Sequence, residues 1–324
     1  MQMDSPSRAR GYFLVLGAAT AWGALGLFYT VITRLYALPP ETIVFFRASL
    51  SLLMLAGALA LFKREWLRIQ RRDVPHFVGM GVLGLAGTYV MYAYAVNTAG
   101  MSVSAILMYT APVWVTLYAW RFLGEGLGWY KGLALLLAFA GAALVAQVYN
   151  PANLLLNLAG VAWGLGAGVA YGSYIIFNKY VVRRYSAWTA FTYALVFGWP
   201  ALALTQDWSE VGRALATPSA MFWLLGLAIG PSLGGGLLYA AGLKHLPASV
   251  ASIVVSWEPV MASLLAFAVF GERLFPGQVV GAAMIVGSIV MLGARDAANR
   301  PRPVPAVCTQ KEVDCEILQD DNGG

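Results

Sequence analysis

The sequence predicts an all-α integral membrane protein of ten transmembrane helices, arranged as two inverted five-helix repeats around a central cavity. Three observations carry this. The chain of 324 residues is 60% hydrophobic and 11% charged, with a mean hydropathy of +0.69, whereas soluble domains carry about 25% charge. Ten apolar runs, each near the ~20 residues that cross about 30 Å of hydrocarbon, follow one another through short connections. The stretch 102–125 also recurs without gaps as 249–272. Ser102 matches Ser249, Val103 matches Val250, Ile106 matches Ile253, Pro112 matches Pro259, and Gly124-Glu125 falls on Gly271-Glu272.

Residues 1–10 form a short, basic N-terminus. The run 11–32 exceeds the 7–15 residues of a signal-peptide core. Its Ala21-Trp22-Gly23 with Phe28 recurs as Ala170-Tyr171-Gly172 with Phe177, so it is read as the first helix of the fold. Four more spans are expected at 40–62, 76–97, 100–122 and 128–148, completing a first repeat over 11–148. An uncharged linker, 149–157, leads into a second repeat over 158–294. Its spans are expected at 157–179, 187–206, 218–243, 247–270 and 276–294. Turns as short as 97–100 and 244–247 make neighbouring helices antiparallel. Backbone polar groups must be paired inside lipid, and the period-2 alternation of a barrel is absent. Residues 295–324, rich in Pro and Arg and then acidic, read as a disordered cytoplasmic tail.

Charge placement sets orientation. With a cytoplasmic N-terminus, the inner segments carry seventeen of the 21 Lys and Arg, and the outer ones only Arg34, Arg213 and Arg273, with Arg47 inside a helix. The positive-inside rule then puts both termini in the cytoplasm of a multi-pass inner-membrane protein. Basic residues lying between apolar runs also argue against nucleic acid as the reason for the net charge of +6. Five helices per repeat is an odd number, so the second copy enters upside down. Inverted repeats are typical of secondary transporters, whose site lies near the bilayer midplane.

Several residues stand out against this frame. A carboxylate in mid-membrane is costly and should face a wet interior, which singles out Glu258. It reads either as a proton or substrate-amine site, or as a structural group satisfying donors beside Pro259. The first copy has Ala111 there, so no symmetric proton relay exists, and the structural reading is preferred. Arg47 reads as a substrate-carboxylate ligand or a partner of Glu258, with snorkelling to the headgroups or an interhelical bond preferred. Glu125 and Glu272 read as structural, each suited to the start of the helix that follows it.

Gly160, Gly164, Gly168 and Gly172 make a smooth ribbon for close helix packing. Gly23, Pro112 and Pro259 join them as structural or hinge positions. Gly79, Gly81, Gly84, Gly87 and the run Gly234-Gly235-Gly236 are expected to widen a cavity or hinge it. Trp22, Tyr92, Tyr109, Trp163, Tyr174 and Trp257 are expected to wall a substrate cavity, with Asn178, Ser256 and Glu258 as its polar contacts. No phosphate loop, nucleophile–base set or metal-ligand cluster is visible, and Cys308 and Cys315 lie in the tail. The expectation is therefore a non-enzyme with no cofactor or metal, embedded in lipid, without nucleic-acid or ATPase partners.

On Trp22-Gly23, Arg47, Pro112 with Gly124-Glu125, and Trp257-Glu258-Pro259 with Gly271-Glu272, the chain over 11–294 resembles the drug/metabolite transporter superfamily. Specifically it resembles the ten-helix family built from two five-helix domains, and within it the bacterial aromatic amino acid exporters. The resemblance implies export of small metabolites by alternating access, here amino acids, with aromatic and other apolar ones preferred. The superfamily's four-helix multidrug pumps use a glutamate in their first helix. This chain has none there, which favours a zwitterionic or neutral cargo over a lipophilic cation. Facilitated diffusion is the expected drive. A broader metabolite or drug exporter, proton-coupled, is the alternative, and a membrane scaffold or sensor is the alternative of another class.

Overall fold

The computed structural model describes residues 5–150, 158–271 and 273–298. Among them every regular element is helical. The spans are α1 (Ser7–Tyr36), α2 (Pro40–Phe62), α3 (Arg71–Ala99), α4 (Val103–Leu123), α5 (Trp129–Val145), α6 (Leu158–Val182), α7 (Ala187–Leu204), α8 (Pro218–Leu243), α9 (Ala248–Phe270) and α10 (Pro276–Arg295). Nine of these are long and apolar enough to cross a bilayer; α5, at 17 residues, is the short one. The expected tail and linker fall largely outside the described residues, as do Glu272, Cys308 and Cys315.

Local chemistry explains where the helices start and stop. Prolines open α2 and α8, where their missing N–H costs nothing. The Ser186 hydroxyl caps α7 by accepting from the Thr189 N–H at 3.0 Å. Gly124 and Gly271 end α4 and α9 with the same left-handed φ of 67°, a conformation that is cheap only without a Cβ. At one membrane edge, Asp73 accepts from Arg184 at 2.9 Å and from the Tyr185 hydroxyl at 2.7 Å, tying the start of α3 to the α6–α7 turn.

The irregularities come in pairs. A π-helical stretch over Gly79–Ala86 in α3 is matched by one over Ala228–Gly234 in α8. α4 breaks at Tyr109–Thr110, ahead of Pro112. α9 breaks over Val255–Trp257, ahead of Pro259. Packing repeats the correspondence. A Cβ on Gly23 would sit 3.0 Å from the Glu258 carbonyl oxygen and 2.6 Å from Met261 Cβ. A Cβ on Gly172 would meet the Ala111 carbonyl oxygen and Trp114 Cβ, the residues 147 positions earlier (258 to 111, 261 to 114). Likewise α1 packs on α8 and α9 as α6 packs on α3 and α4, while α2 meets α7, α4 meets α9, and α5 meets α10. The two halves are thus related by exchange. Five spans separate equivalent helices, so the axis relating them lies in the membrane plane.

The glycine ribbon of α6 packs as expected: Gly164, Gly168 and Gly172 lie against α4 and Gly160 against Ala99. Of the two expectations for the α3 and α8 glycines, cavity or hinge, the cavity one is corrected at five of them. Gly79 meets the Phe177 ring, Gly81 the backbone of α7, Gly84 the backbone of Tyr174, Gly235 the Trp22 ring and Gly236 the Phe191 ring. Removing a side chain there makes room for a ring or a second backbone, not for a cavity.

One close crossing joins α5 to α10, where a Cβ on Gly141 would stand 2.6 Å from the Gly281 carbonyl oxygen. Gly141→Val is expected to cost at least about 1–3 kcal/mol through overpacking. It should lower the midpoint seen by fluorescence-detected thermal gel filtration. Gly287→Ala on α10, with nothing within 4 Å of the added carbon, should leave that midpoint in place.

Candidate functional site

The centre of the interface is a chamber of tyrosines holding two opposite charges. Arg47, two turns into α2, is 8% exposed. Its guanidinium donates to the Tyr89 hydroxyl on α3 and lies 4.6 Å from the centre of that ring, with Tyr29 of α1 within electrostatic reach. Hydroxyl oxygens and an aromatic face are the partners a buried cation needs. The snorkelling expectation for Arg47 is therefore corrected, and the interhelical bond is what the structure contains.

Glu258 enters from the opposite half. The break before it makes it the first residue of the helical segment Glu258–Phe270, with Pro259 following. Its carboxylate makes no hydrogen bond and no ion pair within 4 Å among the described residues, although Arg47 acts on it electrostatically. The preferred structural role for Glu258, satisfying donors at the proline, is therefore not what the geometry shows. Tyr92 of α3, Tyr109 of α4 and Tyr171 of α6 all stand within electrostatic reach of it. Arginine and glutamate share the chamber without neutralising each other.

The other expected cavity residues divide. Trp22 packs its ring 5.2 Å from Tyr239. The Tyr174 ring lies 6.5 Å from Tyr171 and parallel to it. Asn178, one turn further on, is fully buried with neither amide atom hydrogen-bonded. Ser256 sits buried in the α9 break, and Trp257 donates from its indole N–H to Thr20 of α1 at 3.1 Å. Trp163 departs from the group. It is 39% exposed and stacks on Tyr94 at 5.1 Å, on the outside of the bundle. Tyr29 was not anticipated, yet it lies seven residues after Trp22 and so on the same helix face.

Beyond the chamber the two ends of the molecule differ. At the start of α9, the Glu125 carboxylate accepts from the Ala248 N–H at 2.7 Å, the Ser249 N–H at 3.3 Å and the Ser249 hydroxyl. Lys131 lies 3.6 Å from the same carboxylate and donates to the Ser249 hydroxyl at 3.0 Å. Glu125 was expected to cap the following helix. It caps α9 of the other repeat instead, latching the halves together. Close by, Lys179 donates to the Leu243 and Leu246 carbonyls, completing the end of α8. Burial first, and then the cations Arg10, Lys179 and Lys244, hold the His245 imidazole below its usual value beside Ser7. At the far end of α9 the position equivalent to Lys131 (131 to 278) is Gln278, which turns to Phe275 and Val145 instead. There a cleft of about 510 Å³ separates α1 from α9.

A helical membrane protein whose exchange-related halves enclose a polar chamber, latched at one end and parted at the other, is a transporter, not an enzyme. The chain belongs to the EamA-like transporter family, which matches residues 9–147 and again 158–294. A probable terminal-alkyne amino-acid exporter of Streptantibioticus cattleyicolor is 27% identical over 259 residues, covering 78% of this chain and 82% of that one. The pseudopaline exporter CntI of Pseudomonas aeruginosa is 26% identical over 218 residues, covering 67% and 72%. A crystal structure superposes with a TM-score of 0.72 at 17% identity, covering 91% of this chain and all of that one, a likeness of fold alone.

The latch yields a measurable expectation. Hydrogen bonds to a charged group contribute about 1.5–3 kcal/mol each, so Glu125→Ala should favour states open at the Ser249 end by tenfold or more. Ser252, buried one turn beyond the latch, reports this when replaced by Cys: its alkylation should accelerate to match. An unchanged rate would show that Glu125 does not hold that end shut.

Proposed function

We propose that this protein exports amino acids, aromatic and other apolar ones preferred, by alternating access between its two halves. One observation carries the reading: Arg47 and Glu258 face one buried aromatic chamber from opposite halves without pairing to each other. An amino acid zwitterion presents complementary charges, its carboxylate suited to Arg47 and its ammonium to Glu258. Tyr92, Tyr109, Tyr171 and Tyr174 offer faces for a flat apolar side chain. The amino-acid exporter among its relatives supports the same class of cargo. The membrane is taken as the cell's inner membrane with both termini cytoplasmic, on the placement of Lys and Arg. The cargo's own gradient drives the movement, since the equivalent of Glu258 is Ala111 and no paired relay exists. Proton-coupled export of a broader range of metabolites is the second reading, favoured by a Glu258 carboxylate that carries no ion pair.

Sealed vesicles holding the purified protein test this. Labelled phenylalanine should equilibrate faster than in empty vesicles, and an imposed pH gradient should leave the rate unmoved. A rate that follows the gradient, and loses that dependence in Glu258→Gln, selects the proton-coupled reading. Arg47→Gln or Glu258→Gln removes one charge-assisted contact and should weaken apparent affinity on the order of 10–100-fold. No flux for any amino acid would end the proposal and leave export of other metabolites.

A further inference from the structure

The cleft between α1 and α9 has the chemistry of a site in its own right. Its floor is the Gly23 crossing, where α1 touches the Glu258 carbonyl and Ala262, so it begins one helical turn from the chamber's carboxylate. Thr30 and Ser263 line its walls, and Leu27, Phe270 and Phe275 give it apolar surface. Two cations stand at the rim. Arg273 belongs to the lining and makes no ion pair or hydrogen bond among the described residues. Arg34, one turn beyond Thr30, lies 5.5 Å from the centre of the Phe270 ring. No acidic side chain lines the cleft among the described residues. A volume of about 510 Å³ lies within the range of small-molecule sites. Hydroxyls along the wall suit a polar solute better than an acyl chain, which gains nothing from them.

We propose that this cleft is a second cargo site, which holds the carboxylate of an apolar amino acid on Arg273 and Arg34 while its side chain lies against Phe270 and Leu27. The assignment rests on the amino acid reading of the chamber and extends it. Cargo meets two guanidinium rims in turn, Arg47 inside and Arg273 with Arg34 at the membrane edge. The latch at the other end of α9 leaves the cleft as the open side of the interface. Ammonium recognition is left to Glu258, because among the described residues the charged groups at the cleft are all cations. An amine lacking the carboxylate should therefore pass the cleft without lodging in it.

The test uses the full chain in lipid nanodiscs, with Cys308 and Cys315 replaced by Ser and a single reporter introduced as Ala266→Cys or, separately, Ser263→Cys. L-Phenylalanine should slow alkylation of the reporter about fivefold, and phenethylamine should not. Adding Arg34→Gln and Arg273→Gln, both at the exposed rim, should remove the protection. Failure of phenylalanine to protect either reporter overturns the proposal. So does protection that tracks the phosphatidylglycerol content of the nanodisc instead of phenylalanine, which would make the cleft a lipid site. Vesicle flux separates the two claims. Protection without flux sinks the export reading and leaves the cleft assignment standing, whereas flux without protection does the reverse.

Discussion

Hydrocarbon offers no hydrogen bonds, and each interruption in this bundle answers to that. A helix can break in mid-membrane only where protein or water takes up the freed groups. The breaks in α4 and α9 obey this by falling together at the interface of the two halves, where Tyr109 and Glu258 project. Arg47 obeys it differently, with the Tyr89 hydroxyl and ring face standing in for water. Glu258 is the exception that the chamber accommodates. It is ionisable, half-buried and unpaired, and a permanent structural anchor would not be left that way.

Exchange symmetry organises the fold, and its violations organise the function. Equivalent π-helical stretches, equivalent breaks and equivalent glycine crossings give both halves one architecture. Charge departs from it: Arg47 and Glu258 each have an alanine in the other half, and Lys131 has a glutamine. With identical halves the two ends would be equally easy to open. The sequence gives each end a glutamate, Glu125 and Glu272, but a lysine at one end against a glutamine at the other biases which end stays shut, because a charge-assisted contact outweighs a neutral one.

Much of this was legible in the sequence because membrane helices depend on local composition. Spans, repeat and hinge prolines followed from hydropathy and from the ungapped match of 102–125 to 249–272. Contacts made across the bundle were not legible. Nothing near Arg47 in sequence announces that Tyr89 arrives from α3 to accept its hydrogen bond, or that Tyr29 of α1 stands beside it. Nor does anything near Glu125 reveal that its partner is Ser249 of the other half. Trp163 failed for a different reason. It shares a helix face with Tyr174 but lies eleven residues away, about 16 Å of helix rise, so face was read correctly and depth was not.

One irregularity has no twin. α1 is interrupted at Ala24, while α6 runs unbroken through the equivalent position, Ser173 (24 to 173). Ser173 follows Gly172 and already bonds its hydroxyl to the Val169 carbonyl at 2.9 Å. Gly–Ser pairs and such back-bonding are where helices bend. If the halves trade places during a cycle, the elbow must migrate: α1 straightens as α6 flexes at a joint the sequence has already softened. Turnover would then be paced by how readily two remote peptide segments swap a kink.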